Sequence, residues 1–208
     1  MITDVSEVTR HACCRGRPDY FERLFEISCE LESPKAFLEV GSAIGGSAIA
    51  LATPHREDPE FRMYCIDCLF MSGEQWEECG ALHSRYKLGR NLAMDAGTAR
   101  DGTNRRYFRE NTEAAGLELI VIPIGEYSIK VHMLGPLDLV YIDGTHTYQA
   151  VKEDLRFLHL VPPGGFAVLD DWGAGVRRAA LSYFRAYREW ERVDDKHPEW
   201  FMRKRRSR

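Results

Sequence analysis

Residues 38–52, LEVGSAIGGSAIALA, decide the fold. An apolar run at residues 36–40 leads into this stretch, and residues 47–52 at its end have the composition of a helix. Gly41 and Gly45 allow the tight turn and close backbone approach of a ligand-binding loop between a strand and a helix. The stretch has no Lys-Ser or Lys-Thr pair, which argues against the phosphate-binding loop of nucleotide hydrolases.

Short apolar runs alternate with amphipathic runs along most of the chain. Strands are predicted at residues 36–40, 61–67, 117–124, 137–143 and 165–170, and helices at 19–31, 47–52, 107–115, 148–160 and 176–190. Two further runs joined by a turn, 190–193 and 200–203, predict an antiparallel strand pair. The sequence therefore predicts an α/β fold: a doubly wound, mostly parallel, Rossmann-like sheet with a C-terminal antiparallel pair at one edge.

The chain of 208 residues is expected to contain a helical segment at 1–35 and one main domain at 36–208. Residues 68–106 are long and polar and interrupt the alternation of strands and helices. They are predicted to form a lid or insertion, with a small extra helix as an equal alternative. Cys65 and Cys68 form a lone C-x-x-C pair, which cannot complete a four-ligand zinc site.

Charge and hydropathy exclude several classes of partner. No apolar stretch approaches the ~20 residues of a membrane span, and residues 1–11 lack the apolar core of a signal peptide, so a cytoplasmic protein without a membrane partner is expected. The net charge of −4 argues against nucleic acid as a partner. The basic run at 203–208 is expected to be a solvated chain end, the alternative being an RNA contact.

Two carboxylates near the glycine loop indicate the kind of ligand. Glu39 ends the strand before the loop, where an anion repels a pyrophosphate and suits a cationic ligand. Asp67 ends the next strand, where an acidic side chain accepts hydrogen bonds from ribose hydroxyls. A ligand with a ribose, an amino group and no phosphate fits both, and S-adenosylmethionine is such a molecule. The alternative is a plain strand-to-helix turn with a solvated Asp67.

A second group of polar residues follows two later strands. Asp143 ends the fourth strand, His146 comes three residues later, and Asp170 and Asp171 end the fifth. Neighbouring parallel strands end at the same rim, so these side chains are expected to converge there. Oxygen ligands favour magnesium or another hard divalent cation, which would lower the pKa of a bound substrate hydroxyl, with His146 as the base. The alternative for each residue is a turn, cap or loop role.

Residues 38–47, LEVGSAIGGS, resemble the first motif of class I methyltransferases, and most closely that of the metal-dependent O-methyltransferases. The resemblance implies the class I methyltransferase fold and S-adenosylmethionine as cofactor. It implies that Gly41 and Gly45 approach the methionine part, that Ser47 meets the cofactor carboxylate and that Asp67 holds the ribose. Ser42 in the loop and Gly125 after the third strand complete the predicted cofactor contacts. The loop 125–128, GEYS, departs from the common Gly-Asp-Ser, whose acid lies near the adenine amine, so the adenine contacts stay open.

Residues 143–148 (DGTHTY), 151–155 (VKEDL) and 163–172 (PGGFAVLDDW) resemble the macrocin and mycinamicin type of sugar O-methyltransferase and the cephalosporin-hydroxylase group. The resemblance implies that Asp143, Asp170 and Asp171 bind magnesium and that His146 is the catalytic base.

The prediction is a magnesium-dependent, S-adenosylmethionine-dependent O-methyltransferase that acts on a hydroxyl of a small molecule such as a sugar, a phenol or another secondary metabolite. Three alternatives stay open: a hydroxylase-like or other enzyme on the same scaffold, a non-catalytic cofactor- or partner-binding protein, and an RNA methyltransferase. A homo-oligomer is compatible with the resemblance, because small relatives often associate.

Overall fold

The computed structural model describes residues 18–70, 103–133, 135–170, 173–194 and 200–206. The strands in these parts are β1 Ala36–Val40, β2 Arg62–Ile66, β3 Val121–Ile124, β4 Leu139–Ile142, β5 Phe166–Leu169, β6 Trp190–Arg192 and β7 Trp200–Lys204. The α-helices are α1 Pro18–Cys29, α2 Gly46–Ala52, α3 Thr103–Ala114, α4 Tyr148–Asp154 and α5 Ala174–Ala186.

The seven described strands form one sheet in the order β3-β2-β1-β4-β5-β7-β6. Strands β1 to β5 are parallel, and β7 runs antiparallel to both β5 and β6. This confirms the predicted doubly wound sheet with its antiparallel pair. The chain order reverses between β1 and β4, and in such sheets a crevice for ligands opens beyond the strand ends at that point.

Helices cover both faces of the sheet. On one face, Tyr20, Leu24 and Ile27 of α1 share a core with α2 and the inward side chains of the strands. On the other face, α4 and α5 pack over a second core that includes Val151 and Val176. Because both faces are covered, β4 and β5 are buried at every position, which explains why their sequences are continuous apolar runs.

The third strand is shorter than predicted. Residues 117–124 were expected to be extended, but only Val121–Ile124 pair with β2. The backbone N–H of Leu117 donates to Thr112 O at 2.9 Å, and Val121 N–H donates to Leu117 O at 2.9 Å. These two bonds fold residues 117–120 into a turn after α3, which an apolar pattern alone does not distinguish from a strand.

Three helices also differ from the prediction. Helix α3 begins at Thr103, so residues 103–106 belong to a helix and not to the predicted lid, and Cys68–Phe70 form a short 3-10 helix. Residues 71–102, the rest of that lid, lie outside the described residues. Helix α4 gives way to a 3-10 helix at Leu155–Leu160, and α5 ends at Ala186 rather than at residue 190. Within the described ranges, no helix is long and apolar enough to cross a membrane.

The first two residues of the basic run at 203–208 do not belong to the solvated chain end that was expected. Arg203 and Lys204 lie in β7, and the Lys204 ammonium donates to Val161 O at 2.8 Å. The Arg203 guanidinium lies 5.0 Å from the centre of the Phe166 ring. The expectation was therefore wrong for these residues, because strand pairing and side-chain contacts hold them against the protein.

Candidate active site

A cavity of about 260 Å³ opens at the carboxyl ends of the strands, at the reversal of strand order. The loops after β1, β2, β3 and β4 form its walls, together with part of α4. Its described lining contains five carboxyl side chains and no Lys, Arg or His: Asp67, Glu126, Asp143, Glu153 and Asp154. An acidic lining without cationic side chains disfavours phosphate groups and suits a ligand that is neutral or positively charged.

Gly41 lets the loop after β1 cross close to the loop after β4. Its φ of +89° lies in the left-handed region, where residues with a Cβ are strained. A Cβ at this position would lie 2.2 Å from the backbone oxygen of Asp143. Glycine is therefore needed here for two reasons: it permits the turn, and it permits the close approach of two backbones that brings the glycine loop beside Asp143.

Helix α3 supports the glycine loop from below. Gly45 has a φ of +95° immediately before α2, and a Cβ there would lie 3.1 Å from the Phe108 ring of α3. One turn further along α3, Asn111 Nδ2 donates to Ile44 O at 2.8 Å. The segment of α3 that contains Phe108 and Asn111 therefore fixes the shape of the loop.

Glu39 lies beneath the loop and does not line the cavity. It is fully buried, and its Oε1 accepts a hydrogen bond from the Ser47 hydroxyl of α2. Burial raises the pKa of the Glu39 carboxyl to about 8, and the hydrogen bond from Ser47 opposes that rise. Glu39 and Ser47 thus tie β1 to α2, and Ser42 is buried in the loop between them. Their predicted cofactor contacts stay predictions.

Asp67 lies in the cavity wall directly after β2. Its Oδ2 accepts a hydrogen bond from Ala43 N at 2.8 Å, and its Oδ1 accepts one from Leu69 N at 2.8 Å. The carboxylate therefore joins the loops after β1 and β2 and is held in one orientation. A carboxylate at this position is of the chemical type that accepts hydrogen bonds from hydroxyl groups.

The loop after β3 carries the predicted Gly125 and brings Glu126 and Ser128 into the cavity wall. The Ser128 hydroxyl donates to Asp154 Oδ1 at 2.5 Å, which joins this loop to α4. Asp154 was not predicted as a site residue. Its position on an amphipathic helix gives no sign that its side chain is buried at the cavity.

Asp143 and Asp170 are the residues directly after β4 and β5, which are neighbouring strands. Ile142 and Leu169, the residues just before them, are paired in the parallel register of β4 and β5. Burial, together with the nearby Asp170, raises the pKa of the Asp143 carboxyl well above its ordinary value, and a hydrogen bond with His146 acts in the opposite direction. The structure therefore brings together the two carboxyl groups expected at this rim. The third predicted carboxylate, Asp171, lies outside the described residues.

His146 lies beside Asp143, with its Nε2 3.2 Å from Asp143 Oδ1. Its side chain is 35% exposed, so the imidazole is accessible from the rim. Close contact with α5 fixes its backbone, because a Cβ at Gly175 would lie 2.3 Å from His146 O. The carboxylate thus holds the imidazole in one orientation, and the role of His146 as a base stays a prediction.

Two buried tyrosines that the sequence analysis did not single out hold Asp143 from the opposite side. The Tyr20 hydroxyl of α1 donates to the Tyr141 hydroxyl of β4 at 2.6 Å, and Tyr141 donates to Asp143 Oδ2 at 3.1 Å. Asp143 Oδ2 therefore has a donor within the core, while Oδ1 faces His146. Tyr141 lies in an apolar strand sequence, and nothing in the sequence relates Tyr20 to it.

The described parts of the chain hold no group of three or more His, Cys, Asp or Glu side chains arranged as a metal site. Asp143 and Asp170 supply two carboxylates, and proteins commonly bind magnesium through one or two carboxylates with water or substrate completing the shell. The donor set is therefore compatible with magnesium, and the metal site stays a prediction.

Comparison with known proteins identifies the family. A family model described as a methyltransferase domain matches residues 38–172. This range includes the glycine loop and the residues at the ends of β4 and β5, among them Asp143. The chain belongs to this methyltransferase family. It is an S-adenosylmethionine-dependent methyltransferase, as both groups of motifs predicted. No curated protein sequence matches this methyltransferase.

Solved structures show the same fold at low sequence identity. The O-methyltransferase NovP is 15% identical with a TM-score of 0.67, over 91% of this chain and 81% of its own. An O-methyltransferase from Bacillus cereus in complex with SAH is 16% identical with a TM-score of 0.54, over 97% and 90%. CalS11, a TDP-rhamnose 3'-O-methyltransferase of calicheamicin biosynthesis, is 11% identical with a TM-score of 0.61, over 98% and 87%. These likenesses show the class I methyltransferase fold.

Proposed function

We propose that this methyltransferase transfers the methyl group of S-adenosylmethionine to a hydroxyl of a small molecule, with a magnesium-type cation bound by Asp143, Asp170 and Asp171. The proposal rests mainly on one observation: the residues around the glycine loop meet the residues at the ends of β4 and β5. Asp143 lines the acidic cavity, and it also lies beside Asp170 at the ends of β4 and β5. A cofactor in the cavity would therefore direct its methyl group toward the His146 side of the rim.

The cavity suits S-adenosylmethionine in shape and charge. Gly41 lets the loops after β1 and β4 lie close together at the wall that would hold the methionine part, and the oriented carboxylate of Asp67 provides acceptors for the ribose hydroxyls. The described lining has no cationic side chain, which agrees with a ligand that carries a sulfonium and an ammonium and no phosphate. Glu39 and Ser47 act indirectly in this proposal, since they hold the glycine loop in place.

The carboxyl groups at the ends of β4 and β5 suit a hard divalent cation. Two adjacent carboxyl groups repel each other when both are ionised, and the raised pKa of Asp143 reflects that conflict together with burial. Oxygen ligands of this kind select magnesium or manganese over softer metals. A cation held there by the three aspartates would lower the pKa of an acceptor hydroxyl and neutralise the resulting oxyanion.

The side chains of this methyltransferase orient the transfer and accept the proton. The acceptor oxygen forms a bond to the methyl carbon while the carbon–sulfur bond breaks and its electron pair passes to sulfur, which leaves neutral S-adenosylhomocysteine. The proton of the acceptor hydroxyl passes to His146, which Asp143 orients through its Oδ1. Alignment of oxygen, methyl and sulfur is the main contribution of such a site to rate.

Changing His146 to Gln is expected to lower kcat by about 10²- to 10⁴-fold, the range for loss of a general base, with a much smaller change in KM. The physical reason is that Gln keeps polarity and approximate size but cannot take the proton. Steady-state kinetics with a series of phenolic acceptors measures the effect, and the loss should shrink as the acceptor hydroxyl becomes more acidic. His132→Gln is the matched control, because His132 is exposed and lies outside the described cavity lining. A uniform loss across the acceptor series would contradict the role of base.

The proposed function is tested by transfer of labelled methyl from S-adenosylmethionine to a panel of sugar and phenol acceptors, with and without a chelator. Transfer that is lost on chelation and restored by magnesium supports the proposal. Transfer that is unaffected by chelation contradicts the metal part. Cofactor binding without transfer to any hydroxyl would instead favour another reaction on this scaffold or a non-catalytic binding protein.

A further inference from the structure

We infer that Asp154 of α4, held by Ser128, recognises the exocyclic amino group of the cofactor's adenine, and that Glu126 in the loop after β3 does not. The inference rests on the proposed placement of S-adenosylmethionine in the acidic cavity. The residue that would determine specificity for adenine then lies on a helix. It lies outside the loop 125–128, whose sequence departs from the common Gly-Asp-Ser.

Asp154 is a buried carboxyl group at the cavity wall. Its side chain is only 2% exposed, and it lines the cavity near the loop after β3. Oδ1 accepts the Ser128 hydroxyl at 2.5 Å, and Oδ2 accepts no hydrogen bond from any described residue. Oδ2 is therefore an open acceptor at the cavity wall, to which a ligand amino group can donate.

Glu126 also lines the cavity, but its carboxylate is engaged by its own loop. Its Oε1 accepts the backbone N–H of Tyr127 at 2.8 Å and lies 3.4 Å from the Lys130 ammonium. Its side chain is 30% exposed, so water solvates the remaining acceptor sites. Glu126 is therefore engaged by its own loop and paired with a cation, whereas Asp154 is nearly fully buried and lines the cavity with Oδ2 open.

The wall that contains Ser128 is fixed before any ligand binds. Arg156 Nη2 donates to Ser128 O at 2.5 Å and to Val131 O at 2.8 Å, so one guanidinium ties the loop to the end of α4. Burial raises the pKa of the Asp154 carboxyl to about 7, and the Ser128 hydrogen bond and the Arg156 charge oppose that rise. A position held by this many contacts provides a preorganised acceptor, which is what base discrimination requires.

The inference places the adenine ring in the part of the cavity between Asp67 and Asp154. With the ribose at Asp67, the base extends away from β1 toward the loop after β3. The lining there is apolar, from Ile66, Leu69, Ile129 and Ala150. Apolar side chains would cover the faces of the ring, and the Ser128–Asp154 pair would contact its edge. This is a typical arrangement of ligand pockets.

The hydrogen-bonding group on the edge of the base that faces Asp154 distinguishes adenine from hypoxanthine. The adenine amino group donates two hydrogen bonds, and the Asp154 carboxyl in its ionised form, which predominates above its pKa of about 7, only accepts. Hypoxanthine carries a carbonyl oxygen at the same place, and that oxygen faces Asp154 with repulsion between lone pairs. Asn at position 154 would supply an amide that can donate to the carbonyl, so Asp154→Asn is expected to shift the preference toward hypoxanthine.

The test is calorimetric binding of S-adenosylhomocysteine and of its hypoxanthine analogue, S-inosylhomocysteine, to the free protein. We expect the unmodified protein to prefer the adenine ligand, and Asp154→Asn to reduce the ratio of the two dissociation constants by about tenfold or more, or about 1.4 kcal/mol. Ser128→Ala, which removes only the hydroxyl that orients Asp154, should reduce the ratio in the same direction by a smaller factor. It keeps the test decisive if Asp154→Asn does not fold.

Two variants complete the comparison. Glu113→Gln is the matched control, because Glu113 pairs with Arg109 on the exposed side of α3. A ratio that changes in Glu126→Gln and not in Asp154→Asn or Ser128→Ala would overturn the inference and assign the amine to the loop acid. Failure of the unmodified protein to bind S-adenosylhomocysteine would overturn the cofactor site as well, whereas intact binding with an unchanged ratio overturns only the role of Asp154.

Discussion

Changing Asp143 to Ala is expected to lower methyl transfer by about 10³-fold or more while the affinity for S-adenosylmethionine stays within a few-fold. Asp143 is the carboxylate that meets Asp170, orients His146 and would hold the cation, so its loss removes three contributions to the transition state at once. Its contribution to cofactor binding is one wall position among many. Single-turnover transfer of labelled methyl measures the first quantity, and calorimetry with S-adenosylmethionine measures the second.

Asp143→Asn separates charge from shape in the same experiment. The amide keeps the size of the side chain and an acceptor for the Tyr141 hydroxyl, so the fold is disturbed less than by Ala. Asp58→Asn is the control, because Asp58 lies in the turn before β2 and caps Glu60 N. A large loss of cofactor affinity combined with transfer that no longer depends on metal would reject the assignment of Asp143 to the cation and the base.

Changing Gly41 to Ala is expected to lower the affinity for S-adenosylmethionine by at least about 100-fold and to destabilise the protein by several kcal/mol. The new Cβ would lie 2.2 Å from Asp143 O and 2.7 Å from Gly144 Cα. Both neighbours are backbone atoms, so relief requires the loops after β1 and β4 to separate. The positive φ adds a further penalty for any residue with a Cβ. Thermal unfolding and calorimetry measure the two effects.

Gly116→Ala is the matched control for Gly41→Ala. Gly116 also has a positive φ, +67°, but a Cβ there would meet no atom within 4 Å. This variant therefore carries only the strain of the backbone conformation, about 1–2 kcal/mol, and should leave cofactor affinity unchanged. Equal losses of stability and affinity in the two variants would show that the close approach of the two loops is not what shapes the cofactor site.

Much of the fold could be predicted because its sequence signals are local. The apolar run of Ala36–Val40 matches β1 at both ends, and the glycines that follow it adopt the conformations that their residue type allows. The meeting of Asp143 with Asp170 was also predictable, because neighbouring parallel strands end at one rim. The strand predicted at 117–124 was wrong in its first half, since turn hydrogen bonds compete there with pairing to β2.

The remaining parts of the site depend on contacts between segments that are far apart in sequence. Tyr20 and Tyr141 are 121 positions apart, and only the packed structure shows that their hydroxyls meet. The burial of Asp154 depends on where α4 lies against the loop after β3, which helical periodicity does not fix. The orientation of Glu39 is similar: the sequence places a carboxyl group at the end of β1, and the fold turns it toward Ser47 and away from the cavity.

The hydrogen bond from Tyr20 has a consequence for shortened forms of this methyltransferase. The helix that carries Tyr20 also covers one face of the sheet with Leu24 and Ile27, both fully buried. A chain that starts at residue 36 would leave that apolar face open to water, where it would favour self-association. It would also leave the Tyr141 hydroxyl without its donor, so the first helix supports Asp143 through Tyr141 as well as covering the core.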